Sequence, residues 1–348
     1  MQPATLLSFS ALIVRLATAQ DIHNHPAPEK LGSVSFPISC APAVQQRFER
    51  AVALLHSFAY APAEGAFREV AAADPHCAMA HWGIAMTYFH QLWEPPLSPE
   101  KVTTGAQEIE TAQRLSSNLR LAENRGLIGV SERERRFIAA LGLVFNNYAT
   151  VPYRARALRY EEAMLAIAQA NPSDPESQVF YSLALLSTAL PADKTHANQK
   201  RASSLLEPLY RQFPDHPGIA HYLIHAYDNA ELARRGVEVA HAYAEIAPSA
   251  PHALHMPSHI FTRLGMWDDS IASNRAARKA AHEQHDRGEE LHAMDYLVYA
   301  YLQEGRDADA AHVIDDLRRS ADLNASDFKA GYASTAMPVR YALERRQW

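Results

Sequence analysis

His221 and His225 stand one helical turn apart, and Asp228 follows three residues later. The same seven-residue span returns, with its two steps reversed, in His252, His255 and His259, and again in His292, Asp295 and Tyr299. In a helix, residues three, four and seven apart share a face, so each set forms a single stripe of side chains able to bind metal or move protons. Neighbouring helices pack about 8–10 Å apart, which lets imidazoles from three of them converge on one or two ions. Six histidines with Asp295 suit a transition metal (zinc, copper or iron) better than calcium or magnesium, which prefer shells of oxygen. Asp228 and Asp295 would serve as ligand or general base, and Tyr299 would donate a proton or stabilise an oxyanion. The His221 and His225 pair lacks the Glu that zinc proteases place directly after the first His, because residue 222 is Tyr. A groove of neutral histidines that hydrogen-bonds a peptide, its rings oriented by Asp228 and Asp295, is the metal-free reading. Against it, six crowded imidazoles without a cation would leave many polar groups to satisfy.

Other chemistry finds no support. The chain has no G-x-S-x-G elbow, no phosphate loop and no dinucleotide fingerprint. Lys and Arg number 33 against 39 Asp and Glu, with no basic run longer than two residues, so no nucleic-acid partner is expected. Of the 18 histidines, His23, His25, His282, His285 and His312 fall in polar segments and are read as solvated.

These stripes need helices to carry them. Hydrophobic residues make up 48% of the chain, and beyond residue 42 it reads as successive Ala- and Leu-rich helices between proline corners, which is an all-α pattern. Residues 4–14 are apolar but too short to span a membrane, and Ala17-Thr18-Ala19 gives a small-x-small cleavage pattern. Residues 1–19 are therefore expected to be a signal peptide, with a secreted or periplasmic product. Residues 20–42, broken by prolines, read as an extended arm. Cys40 and Cys77 can form one bridge in an oxidising compartment.

The corners repeat. Pro214 and Pro248 are 34 residues apart, as are Pro217 and Pro251, His221 and His255, His225 and His259, and Tyr227 and Phe261. That is the tetratricopeptide period. The run LHMPSHIFTRLGMWDDSIASNRAARKA resembles one such unit, with Leu254, Phe261 and Ala277 at core positions and Gly265 at the turn between its helices. HAMDYLVYAYLQEGRDADA continues the register through Gly305 after six extra residues, and AMPVRYALERRQW overlays HMPSHIFTRLGMW, so Met337, Pro338 and Trp348 would begin a last partial unit. HPGIAHYLIHAYD and APSAPHALHMPSHIFTRLG are similar to a group of secreted bacterial and fungal tetratricopeptide proteins. The resemblance spans residues 43–348 and implies a right-handed solenoid of about seven helix pairs plus a C-terminal capping helix.

It further implies that positions 2, 5, 9 and 12 of each first helix line a concave groove. His221, His225 and Asp228 then face the groove, as do His252, His255 and His259, and His292, Asp295 and Tyr299. Arg340 takes position 9 of the partial unit, where it would clamp a substrate carboxylate or phosphate. The unit from Pro175 puts Glu176, Val179, Leu183 and Leu186 at those positions, which confines the expected cluster to three repeats. His56, His81 and His90 read as structural, and the proline-rich insertion around Trp93 as a lid over the groove. Three functions are compatible: a metal-dependent enzyme, hydrolase or oxidoreductase, acting on a small molecule or peptide; a peptide- or protein-binding scaffold; and a metal carrier with a closed site.

Overall fold

The structure, a computed structural model, describes residues 28–92, 98–117, 129–320 and 328–347. The expected signal peptide, Trp93 and Trp348 lie outside these residues. Among the described residues the fold is all-helical, without a strand. The helices are α1 (Gln45–His56), α2 (Tyr60–Ala73), α3 (Ala78–Met86), α4 (Pro99–Ser116), α5 (Glu132–Phe145), α6 (Tyr153–Ala170), α7 (Pro175–Thr188) and α8 (Ala197–Gln212). They continue as α9 (Pro217–Tyr227), α10 (Val237–Ile246), α11 (Pro251–His255), α12 (Pro257–Leu264), α13 (Trp267–Glu283), α14 (Arg287–Gln303), α15 (Asp307–Arg319) and α16 (Phe328–Glu344). No described helix is long and apolar enough to cross a membrane.

Proline opens α7, α9, α11 and α12 at their first turns, where its missing N–H costs nothing. Ser131 and Glu134 form a reciprocal capping box at the start of α5. The stretch from Pro251 to Leu264, expected as one helix, is two, because Pro257 cannot donate to the preceding turn. Met256 between them keeps helical angles (φ −53°, ψ −36°), so the histidine stripe runs across the break. At the C-terminus, α16 begins at Phe328, well before the expected start at Met337. Met337 is a fully buried residue within that helix, and Pro338 follows it there.

Most helices pack on their neighbours in the chain, but α1 also reaches α9. The arm reinforces this closure. Ser33 N donates to Asp215 O (2.9 Å), and Lys30 and Ser249 exchange two hydrogen bonds. Gly32, with φ +81°, passes so close that a Cβ would lie 2.5 Å from Asp215 O, which excludes any other residue. Residues 28–41 of the arm form neither helix nor strand, and they are also part of the core. Phe36 is fully buried, with ring centroids 5.4 Å from Phe48, 5.6 Å from Trp82 and 5.4 Å from Phe137. Cys40 and Cys77 form a disulfide that ties the arm to the start of α3. One apolar core runs from Leu31 to Phe261 and a smaller one from Ile271 to Met337. Of the histidine-bearing helices, α9, α11 and α12 adjoin the first core and α14 the second.

Candidate metal centre

The six histidines come together, but not helix by helix. His221 and His225 of α9 are joined by His252 from the first turn of α11; His255 and His259 are joined by His292 of α14. Within each triad, one nitrogen from every ring lies within 4.8 Å of the others. The Nε2 atoms of His221 and His225 are 3.0 Å apart, as are those of His255 and His259. The triads adjoin, with ring centroids 5.9 Å apart for His252 and His255 and 6.2 Å for His225 and His259.

Four of the rings are held from behind, through Nδ1. His221 Nδ1 donates to the main-chain oxygen of His56 (2.6 Å) and His252 Nδ1 to Glu289 Oε2 (2.9 Å). His255 Nδ1 donates to Asn274 Oδ1 (2.7 Å), and the Asn274 amide nitrogen donates to Ser270 O, which fixes the amide's orientation. His259 Nδ1 donates to Asp228 Oδ2 (2.8 Å), whose other oxygen accepts from Arg263 Nε (2.7 Å). These acceptors place a proton on each Nδ1, so each ring, in its neutral form, turns an Nε2 lone pair inward, the arrangement that orients metal-binding histidines. Two consequences follow. The buried Nε2 of His252 has no hydrogen-bond partner among the described residues. With both protons on Nδ1, the Nε2 atoms of His255 and His259 face each other at 3.0 Å with no hydrogen between them.

Burial, reinforced by neighbouring histidines, holds His221 and His255 well below the usual histidine range and brings His225 to about 3. Burial likewise lowers His292 to about 3 despite the nearby Glu289. Burial pushes the Asp228 carboxyl up, but His259 and Arg263 outweigh it and hold the group below the carboxylate range; His252 and Lys329 do the same for Glu289. The histidine shifts set a pH dependence. The unfolded rings take up protons near 6.5, whereas folded His225 and His292 do so only near 3. In that window the unfolded state binds more protons, so stability falls as pH falls. Metal-free protein should therefore keep a steady Tm above pH of about 7 and lose stability progressively below about 6.5. A Tm that holds or rises between those values and pH of about 4, read by differential scanning calorimetry, would contradict neutral buried rings.

The triads open onto a cavity of about 360 Å³, with Phe58, Tyr60, Leu92 and Met256 on its apolar side. Phe58 is brought there by the packing of α1 on α9. Its ring centroid is 4.4 Å from His221, 5.5 Å from His252 and 5.8 Å from His225. Its backbone is left-handed, with φ 52°, a conformation that costs a non-glycine residue about 1–2 kcal/mol and that the ring's packing against three imidazoles helps to hold.

The other expected site residues are placed differently. Asp295 stands outside both triads: Arg340 Nη1 donates to its Oδ1 (2.6 Å) and its main-chain oxygen (3.2 Å), while burial pushes its carboxyl up. Its α14 position, one turn past His292, directs it to a second cavity of about 280 Å³ that Arg340 and Tyr299 also line. Arg340 is thus engaged with Asp295 and stacks over the Tyr299 ring at 5.2 Å, and Tyr299 meets Trp267 edge-on. Asp228 buttresses His259. The tyrosine beside the triads is Tyr296, whose ring is 4.7 Å from His255 and 5.1 Å from His259 and whose hydroxyl is 3.4 Å from His259. Its place one turn after His292 was the available signal, and Tyr299 on the same stripe obscured it.

A further buried group lies outside the helices that carry the six histidines. Glu176 of α7, fully buried, accepts from His56 Nε2 (3.0 Å) and from His216 Nε2 (2.9 Å). Tyr222 donates to His56 Nδ1 (2.9 Å), and His216 Nδ1 caps α9 by accepting from Ile219 N (3.3 Å). Every nitrogen of the two rings is partnered, so this is a closed hydrogen-bond network. Burial raises the Glu176 carboxyl, but the two histidines overcome it and keep the group ionised. His56 is bound into this network, and its main-chain oxygen also orients His221. Compared with known proteins, the chain matches no family model and no curated protein.

Proposed function

We propose that the two histidine triads bind transition-metal ions and that the protein is a metal-dependent enzyme acting on a small molecule in the adjoining cavity. The observation that carries this reading is the inward set of Nε2 lone pairs, fixed by four outer acceptors and including the unpartnered Nε2 of His252. A bound ion would supply Lewis acidity or electron transfer. Phe58 and Tyr60 would hold an apolar or aromatic portion of the substrate, and Tyr296 stands where its hydroxyl can deliver a proton.

The cavity's size supports a small ligand over the extended peptide of a binding scaffold, and its opening beside the histidines supports catalysis over a carrier with a closed shell. The helices carrying the triads correspond to the first helices of the tetratricopeptide register, whose concave face this site would occupy. The bonded Cys40 and Cys77 accord with a secreted or periplasmic location.

The test is elemental analysis by plasma mass spectrometry of protein purified without a polyhistidine tag, beside the His225→Ala, His259→Ala double variant. Stoichiometric zinc, copper or iron in the parent and its loss in the variant is the expected result. Parent protein that neither carries nor takes up any of these ions would sink the proposal and leave the peptide-binding reading in its place.

A further inference from the structure

The composition and charge of the triads narrow which ions they hold. Neither triad contains a carboxylate or a thiolate; all six inward donors are imidazoles. The two carboxylates that come nearest, Asp228 and Glu289, face the Nδ1 side of His259 and His252 and serve as hydrogen-bond acceptors there. Each is already matched by a cation, Arg263 at 2.7 Å and Lys329 at 2.6 Å. The surroundings therefore contribute little net negative charge.

Charge then discriminates between ions. Two divalent ions would put four positive charges among six uncharged donors, with His221 and His255 almost fully buried. Removing such charge from water without an anionic ligand is costly. Zinc takes a fourth ligand, a further side chain in structural sites or a water in catalytic ones, and non-haem iron favours two histidines with a carboxylate, so three imidazoles alone complete neither shell. Monovalent copper carries half the charge, has a filled d shell and accepts three-coordinate geometry from neutral nitrogen donors. The thioether of Met256, a soft group, lines the same cavity.

We infer that the two triads hold a neighbouring pair of copper(I) ions, one to each set of three histidines. This rests on the metal-binding reading above and assigns it an ion, an oxidation state and a stoichiometry. His221, His225 and His252 hold one ion, and His255, His259 and His292 hold the other. The closeness of the triads, with His252 and His255 rings 5.9 Å apart, makes the ions neighbours able to act on one small molecule in the cavity.

The deciding experiment is an anaerobic titration of the metal-free full chain with copper(I), against bicinchoninate as a competing chromogenic chelator, repeated with excess zinc(II). Two equivalents per chain that zinc does not displace are expected. His225→Gln and His259→Gln, which keep side-chain bulk and polarity while losing the ring nitrogen, should each bind one equivalent, with helical circular dichroism confirming the fold. The parent stoichiometry is decisive even if a variant misfolds. One equivalent in the parent, or displacement of copper by zinc, would overturn the copper pair while leaving a metal site in place. Failure to bind either ion would overturn both readings.

Discussion

A Glu176→Ala chain should be less stable than its parent by about 3–5 kcal/mol, the cost of removing one partner from a buried ionic network. Glu176 is fully buried and accepts hydrogen bonds from both His56 and His216, so its loss strands two buried Nε2–H donors and opens a void. The His56 ring has little room to turn away, because Gly218 packs so tightly that a Cβ there would lie 2.6 Å from His56 Nδ1. The effect should also reach the triads. His56 ends α1, and its main-chain oxygen orients His221, so the variant should bind metal more weakly even where it remains folded. Urea unfolding followed by circular dichroism measures the first effect and chelator competition the second. A stability change below about 1 kcal/mol would mean that the network is not a fixed part of the fold.

The second large effect is expected at Asn274. Replacing it with Leu, of similar volume, removes the acceptor of His255 Nδ1 and leaves Ser270 O without the Asn274 amide. His255 would then be free to turn or to change tautomer, and its Nε2 would no longer be held toward the second triad. Metal affinity should fall by about 10- to 100-fold, as it does when outer hydrogen-bond partners of metal-ligating histidines are lost. The first triad does not use Asn274 and should keep its ion. A purely structural role would lower Tm and leave both affinities unchanged, so a titration resolving the two triads separates the cases. Unchanged affinity at the second triad would show that the Asn274 contact does not position the ligand.

The helical class and the histidine stripes were legible in the chain because both are local. Hydrogen bonding four residues along the backbone sets the 3.6-residue period, and that period places His221 beside His225 and His255 beside His259 whatever surrounds them. The proline corners were legible for the same reason, since proline at the first turn reports on its own backbone. The exact course of the last helix was not. Met337 and Pro338 look like a helix start in sequence, yet α16 runs through both, because the packing of Met337 in the second core outweighs the local signal.

The sequence by itself determined an all-helical chain with three stripes of histidine and acid, and thereby which residues were available for chemistry. Only the tertiary structure decided how they divide. His252 leaves its own stripe to complete the triad on α9, and Asp295 is drawn out of the site by Arg340, 45 residues away. The outer acceptors were equally hidden: Asn274 lies 19 residues from the ring it holds, Glu289 37, and the His56 oxygen 165. The last is a main-chain atom, present in every residue type, so no pattern of side chains could have announced it. Backbone geometry is fixed over a few residues, whereas the orientation and electrostatics of a metal ligand depend on whatever the fold packs behind it.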